Sequence, residues 1–369
     1  MYLIRRQFSS SASLFSKHRL QTKLTEAVGI EHPIVQGGTE CNGLGLLRWV
    51  RCFGSSTRNA SLTSAFLHGL ASAVSNAGGL GILTALTQST PELLRMEIER
   101  CRTMTDKPFG VNLTFLPAIT PPPYEEYVQA IIDCGIQVVE TAGNNPSKHV
   151  IRIKESSPST VIIHKCTSIR HALSAQKTRS IDFVSIDGLE CAGHPGEDDI
   201  GGLVLLALAA RRLEIPFLAS GGIGDGRGLA AALALGAEGI NMGTRFLATT
   251  EAPIHENVKQ RIVQSKETDT VHLFRTFRNT ARLYKNSVSQ KALELERRPG
   301  ATFEDIRDLV SGKRGRKVFV DGDLEAGVWS AGQVVGLIDD VPSCKELLDT
   351  IVDDAVEIIE SRLKGFVKN

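Results

Sequence analysis

Eight short runs rich in β-branched residues alternate with helical patterns along most of this chain. Strands this apolar are covered on both faces, which is typical of parallel sheets. Eight strand and helix units over roughly 220 residues match a (β/α)8 barrel, whereas a doubly wound sheet rarely uses eight strands. The sequence therefore predicts an α/β fold of the TIM (β/α)8 barrel type. The predicted strands are 32–38, 79–87, 108–116, 136–143, 161–166, 183–190, 216–223 and 239–246.

The pattern changes after the eighth predicted strand. Residues 251–342 read as charged helices without further strands, with "SGKRGRKVF" as an exposed basic turn. Ser343 and Glu346 then form a capping box that opens a last helix over 343–369. We therefore predict a barrel over 23–250, a helical lid domain over 251–342 inserted before the last helix, and a return of that helix to the barrel.

Composition excludes several classes of function. The 42 basic and 41 acidic side chains are spread along the chain and leave a net charge of +1, which favours neither nucleic acid nor an anionic membrane surface. No apolar stretch reaches the roughly 18 to 20 residues that cross a bilayer. The seven scattered cysteines contain no C-x-x-C pair, which argues against disulfides and zinc knuckles. Small-molecule chemistry in a reducing compartment is the better expectation.

The N-terminal segment differs from the rest of the chain. Residues 1–22 carry several basic residues and serines, and the first acidic residue of the chain is Glu26. This composition is typical of a mitochondrial transit peptide and predicts a location in the mitochondrial matrix. The alternative is a disordered tail on a protein that is otherwise cytoplasmic.

Two glycine-containing turns follow the last two predicted strands, "SGGIGDG" and "NMGTRF". Backbone N–H groups with glycine at close approach form the usual phosphate site of such barrels. The two turns therefore imply a phosphorylated cofactor or substrate. The pattern G-x-G-x-x-A at Gly226 also fits a dinucleotide fingerprint, but no acidic residue follows the next strand as that fingerprint requires.

His194, in "CAGHPGEDD", follows the sixth predicted strand, and three interpretations of its role are open. As a base it has a suitable intrinsic pKa and faces the barrel mouth. As a metal ligand it lacks a second histidine at ligand spacing, and as a turn residue it needs no function. Lys165 ends the fifth strand, where it fits contact with an anionic cofactor, a Schiff base or a plain salt bridge.

Nine segments in order resemble the nitronate monooxygenase family, formerly called 2-nitropropane dioxygenases. They are "HPIVQGG", "ASAVSNAGGLGILTALT", "KPFGVNLTFLP", "VVETAGNNP", "VIIHKC", "SIDGLECAGHPGEDD", "ASGGIGDGRGLAAALALGAEGINMGTRFLAT", "RNTAR" and "WSAGQVVGLIDD". The resemblance implies an oxidoreductase with FMN as its cofactor and no metal. It places His194 as the catalytic residue and the following residues at the flavin or its phosphate: Gly37, Gly38, Thr39, Thr114, Lys165, Ala192, Gly221, Gly222, Gly243 and Thr244.

The implied reaction oxidises an alkyl nitronate with dioxygen to a carbonyl compound plus nitrite. The turn around His194 is also similar to the branch that contains NAD(P)H:quinone reductases, so NAD(P)H and a quinone are alternative partners. A barrel that only binds ligands is the third possibility. Ser330 and Gln333 are expected on the inner surface of the lid. Residues 39–68 exceed the family's usual length and are either a lid insertion or a retained intron in the gene model.

Overall fold

A computed structural model of the chain describes residues 19–38, 67–115 and 121–367. Residues 1–18 of the predicted transit peptide lie outside these ranges. So do Thr39 and the unusual segment that it begins, as far as residue 66. The expectations attached to these parts of the chain stay predictions.

The eight predicted strands form one parallel barrel. From β2 to β8, each strand pairs with the next one in chain order, and β8 pairs with β1. A parallel bridge between Val35 and Leu80 joins the remaining edges, with hydrogen bonds of 2.9 Å on both sides. The predicted TIM barrel is therefore confirmed. Its strands are β1 Ile34–Gln36, β2 Gly81–Thr84, β3 Phe109–Phe115, β4 Val138–Gly143, β5 Val161–Cys166, β6 Phe183–Asp187, β7 Phe217–Ser220 and β8 Ile240–Met242.

Helices alternate with these strands and begin at residues suited to capping. Thr90 accepts a hydrogen bond from the Leu93 amide, and Pro91 is the first residue of the helix that follows, as the sequence predicts. The helices within the barrel part are α1 Lys23–Val28, α2 Leu67–Asn76, α3 Pro91–Met104, α4 Tyr124–Asp133, α5 Ser147–Ser156, α6 Ile169–Gln176, α7 Gly202–Arg212, α8 Gly226–Ala234 and α9 Thr244–Leu247.

Strand alternation separates the apolar residues into an inner and an outer layer. On β5, Val161 and Ile163 belong to the cluster inside the barrel, whereas Ile162 and Cys166 belong to the cluster between strands and helices. Because successive side chains point to opposite faces, Lys165 at the strand's end faces the barrel axis. Because the eight strands run parallel, their polar carboxyl ends lie together at one rim of the barrel.

Residues after α9 include a β-hairpin, so the expectation of an all-helical lid is wrong. Strands β9 Thr270–Leu273 and β10 Ala281–Tyr284 pair antiparallel. Each has four residues, which is too short for a period to appear in the sequence. The expected basic turn is also wrong, because most of "SGKRGRKVF" lies in a helix that buries Val318 and Phe319. The helices here are α10 Glu256–Val263, α11 Ser287–Glu296 and α12 Gly312–Asp321, with single turns at Phe303–Asp305 and Gln333–Leu337.

The last long helix, α13 Cys344–Glu357, returns to the barrel. Ser343 and Glu346 form the predicted capping box. Leu347, Leu348 and Ile351 join the apolar layer between the strands and their helices. The helix contacts α2 and α8, which is the place of the eighth barrel helix. Among the described helices, none is long and apolar enough to span a membrane.

Candidate active site

A cavity of about 460 Å3 opens where the barrel strands end, beneath the segment that carries the hairpin. This volume is typical of a small-molecule site. Every predicted site residue within the described ranges lines it: Gly37, Gly38, Thr114, Lys165, Ala192, His194, Gly221, Gly222, Gly243 and Thr244. The sequence therefore identified one continuous site, while the individual roles of these residues stay predictions.

The two glycine turns form one wall of this cavity. Gly221 and Gly222 have φ angles of 89° and 76°, a left-handed conformation in which a side chain is strained. The Thr244 hydroxyl accepts a hydrogen bond of 3.0 Å from the Gly332 amide. Its own proton is thus left to donate. The wall combines close backbone approach with a hydroxyl donor, which suits an anionic group.

A buried carboxylate organises the floor of the cavity. Glu140 is fully buried on β4 and accepts hydrogen bonds from the Gly38 amide at 3.0 Å, Asn112 at 2.6 Å and Asn241 at 2.9 Å. A Cβ atom on Gly37 would lie 2.3 Å from the Asn241 amide oxygen. Glycine is therefore required where β1 ends, because the amide side chains occupy the adjacent space.

Lys165 and Asp187 form an ion pair at the inner surface of the barrel, with Nζ 3.7 Å from Oδ1. Burial acts against the charge on Lys165, but the carboxylates of Asp187 and Glu140 outweigh it and raise the lysine pKa. Burial raises the pKa of Asp187, and Lys165 opposes that rise. We take the pair as charged, because Lys165 keeps contact with the open cavity. A cation is thus fixed beside the glycine turns.

The loop that carries His194 is fastened to the hairpin. Gly193 and Arg282 exchange two backbone hydrogen bonds, at 3.1 and 2.6 Å. Glu197 accepts two bonds from Thr280, and Asp199 makes a two-bond ion pair with Arg275 at 2.6 Å each. Two of the three carboxylates in "GEDD" therefore hold the loop in place. This explains their presence without a metal at His194.

The His194 ring faces open space rather than a partner. It is exposed to the cavity, and no other described residue donates a hydrogen bond to it or accepts one from it. The surrounding protein mass lowers its pKa by desolvation, and the negative charge of Glu197 partly opposes this. His194 is therefore uncharged at neutral pH and free to accept a proton from a bound molecule.

A second histidine, His171 on α6, also lines the cavity. Its Nε2 lies 3.0 Å from Nε2 of His164, whose Nδ1 is 2.8 Å from the Thr141 hydroxyl. Burial lowers the pKa of His164 to about 3. Together with Cys166 these histidines form a group whose ligand atoms lie within 4.8 Å of one another. The short imidazole contact is a hydrogen bond, which uses the lone pair that a metal ion would need.

Comparison with known proteins identifies the family. The family model described as "Nitronate monooxygenase" matches residues 65–354. The chain belongs to the nitronate monooxygenase family. It is therefore a member of a family of enzymes that act on small molecules, as the sequence motifs predict.

Three relatives show how the similarity is distributed over this family member. The (3aS,4S,5R,7aS)-5-hydroxy-7a-methyl-1-oxo-octahydro-1H-indene-4-carboxyl-CoA dehydrogenase of Mycobacterium tuberculosis (strain ATCC 25618 / H37Rv) is 33% identical, over 93% of this chain and 98% of its own. A probable nitronate monooxygenase of Staphylococcus haemolyticus (strain JCSC1435) is 30% identical, over 68% and 74% of the two chains. The structure of FabK from Thermotoga maritima has a TM-score of 0.81 and 34% identity, and covers 94% and 100%.

The structure also adds residues to the site that sequence reasoning missed. Of the two residues expected on the lid's inner surface, Ser330 lines the cavity, whereas Gln333 bonds through its amide to the Glu190 carbonyl and is not among the lining residues. The additional lining residues include His171, Arg278 and Phe319. A charged residue within the apolar run of β4 was a signal for Glu140. Arg278 begins the segment "RNTAR", but the sequence did not indicate that this segment lines the cavity.

Proposed function

We propose that this member of the nitronate monooxygenase family binds FMN in the barrel cavity. The residues fit the group on three counts. The left-handed Gly221 and Gly222 let backbone amides approach an anion, Thr244 keeps a donor free, and Lys165 supplies a positive charge beside them. When bound, FMN would supply two-electron redox chemistry that side chains lack.

We further propose that the reaction oxidises an alkyl nitronate with dioxygen. Two nitronates and one dioxygen give two carbonyl compounds and two nitrite ions: each carbon atom gains one oxygen atom, and its bond to nitrogen breaks as nitrite leaves. The observation that carries this proposal is that the His194 ring is exposed to the cavity on a loop fixed by Glu197. That ring would orient the nitronate, or remove the α-proton when the neutral nitroalkane is bound. Lys165 would stabilise negative charge that develops near it.

A flavin-dependent dehydrogenase or reductase is the second candidate. Similarity to the carboxyl-CoA dehydrogenase extends over 93% of this chain, whereas that to the probable nitronate monooxygenase extends over 68%. The longer match favours a carboxyl-CoA compound as substrate, and His194 would again be the candidate base. An NAD(P)H:quinone reductase would use the same cavity with a nicotinamide as electron donor.

Anaerobic reduction of the FMN-loaded protein tests these candidates. Flavin absorbance is followed after addition of propyl-1-nitronate, NADH or NADPH in separate experiments, with His194→Ala as the matched variant. Reduction by the nitronate alone, lost in the variant, supports nitronate oxidation. If NADH or NADPH rapidly bleaches the flavin absorbance and the nitronate does not, the protein is a reductase. A protein that retains no FMN refutes the flavin proposal and leaves a barrel that only binds ligands.

A further inference from the structure

One charged side chain that lines the cavity has no partner among the described residues. Five charged residues line it, and four have partners within the described part of the chain. Lys165 pairs with Asp187, Glu190 accepts from the Gly202 amide at 3.0 Å, and Glu197 accepts from Thr280. Arg278 is the remaining one. It is exposed to the cavity and none of the described residues pairs with its guanidinium group.

The backbone at Arg278 is held in an unusual conformation. Its φ is 52°, in the left-handed region that arginine seldom adopts. Such a conformation persists when the surroundings fix it. On one side of the loop, Glu296 accepts from the amides of Phe274 and Thr276 at 2.7 and 3.0 Å. On the other side, Thr280 is held by Glu197. The loop thus aims a free cation into the cavity at the cost of local strain.

We propose that Arg278 binds the oxyanion of the substrate. This inference rests on the proposed function of the same cavity and names the chemical group that its substrate must carry. A guanidinium group donates two parallel hydrogen bonds to a pair of oxygen atoms, which a nitronate and a phosphate both present. Arg278 and His194 lie on the same wall, because Gly193 pairs with Arg282 on the strand that follows the loop. One residue would hold the anion while the other acts on the adjacent carbon.

Because the backbone at Arg278 is left-handed, its side chain can be removed without straining the backbone. Glycine adopts this conformation without strain, so Arg278→Gly removes the charge while relieving the backbone. Arg278→Lys keeps the charge but not the two-bond fork. Arg179 is a matched control, because it is also exposed, has a φ of 54° and precedes β6 at the opposite end of the barrel. Arg179→Gly makes the same chemical change away from the cavity.

The test is an equilibrium titration of the FMN-loaded proteins with sodium nitrate and, separately, with coenzyme A, followed by the flavin difference spectrum. We expect Arg278→Gly to weaken binding of at least one of them roughly 10- to 100-fold, the range of a lost charged hydrogen bond. Arg278→Lys should lose less, and Arg179→Gly nothing. An effect on nitrate indicates a nitro-type group as the natural anion, and an effect on coenzyme A alone indicates a phosphate.

Three results overturn the proposal. The first is unchanged binding of both anions in Arg278→Gly, and the second is no saturable binding of either anion by the unaltered protein. The third is a parallel loss of FMN affinity, which would make Arg278 part of the flavin site. Because the titration needs no turnover, it stays informative if nitronate oxidation fails. In that case anion binding through Arg278 would stand, and only the reaction assigned to the cavity would be withdrawn.

Discussion

The carboxylate of Glu197 accepts two hydrogen bonds from Thr280, one from the backbone amide at 2.8 Å and one from the hydroxyl at 2.6 Å. Glu197 lies three residues after His194, and Thr280 directly precedes the second strand of the hairpin. A single side chain therefore connects the loop that bears the candidate base to the segment that covers the cavity.

Removing the contact between Glu197 and Thr280 should destabilise both the His194 loop and the segment that covers the cavity. We expect Glu197→Ala to lower the free energy of unfolding by about 1–3 kcal/mol, since it leaves two donors at Thr280 without an acceptor. Urea unfolding followed by circular dichroism measures this loss. Asp198→Ala is the control, because Asp198 is an exposed neighbour with no partner among the described residues. Equal effects of the two substitutions would show that general loop charge matters and the Thr280 contact does not.

The pH dependence of activity should report His194. Desolvation lowers its pKa from 6.5, so the neutral form is present above that lowered value and is lost as pH falls through it. We expect kcat/KM to fall on the acid side with a midpoint below 6.5. Glu197 raises the His194 pKa, and Glu197→Gln should therefore move the midpoint to lower pH. Asp198→Asn should leave the midpoint unchanged. A midpoint that does not move in Glu197→Gln would argue against His194 as the titrating base.

A substitution at Gly222 tests whether the wall formed by the two glycine turns binds the phosphate of FMN. A Cβ at this position would lie 3.1 Å from the Glu190 Cβ, and its φ of 76° strains any larger residue by roughly 1–2 kcal/mol. We expect Gly222→Ala to weaken FMN binding at least about tenfold, measured by flavin fluorescence on titration. Gly29→Ala is the matched control, because Gly29 has a φ of 77°, nothing within 4 Å of its Cβ, and lies after α1. Equal FMN affinity in both variants would remove Gly222 from the cofactor site.

The barrel was predictable from sequence because its strands are buried on both faces and therefore read as continuous apolar runs. The same reasoning placed polar residues at the strand ends and so found Lys165, His194 and the glycine turns. Sequence patterns did not predict the segments whose structure depends on contacts between residues far apart in the chain. Arg275 and Asp199 are 76 residues apart in the chain, and Thr280 and Glu197 are 83 apart. Both pairs fasten the loop that presents Arg278 to the loop that carries His194.

Acid should destabilise the fold through His164, which is fully buried between β5 and α6. Burial lowers its folded-state pKa from 6.5 to about 3. Stability from the uncharged ring is complete above pH 6.5 and is lost as pH falls from there toward 3, because the unfolded chain binds the proton first. The limiting slope is about 1.4 kcal/mol per pH unit.

His164→Asn should flatten this dependence. Asparagine keeps a polar group near Thr141 but cannot take up the proton, so the variant should be less stable than the parent protein at pH 7 and lose less on acidification. Free energies of unfolding from urea titrations at pH 7.0, 6.0 and 5.0 provide the comparison. Parallel curves for the two proteins would assign the acid sensitivity to other groups, of which His171 is the first to examine, since burial lowers its pKa as well. Convergence of the curves toward pH 5 would instead identify the His164 ring as the main acid-sensitive group of the barrel.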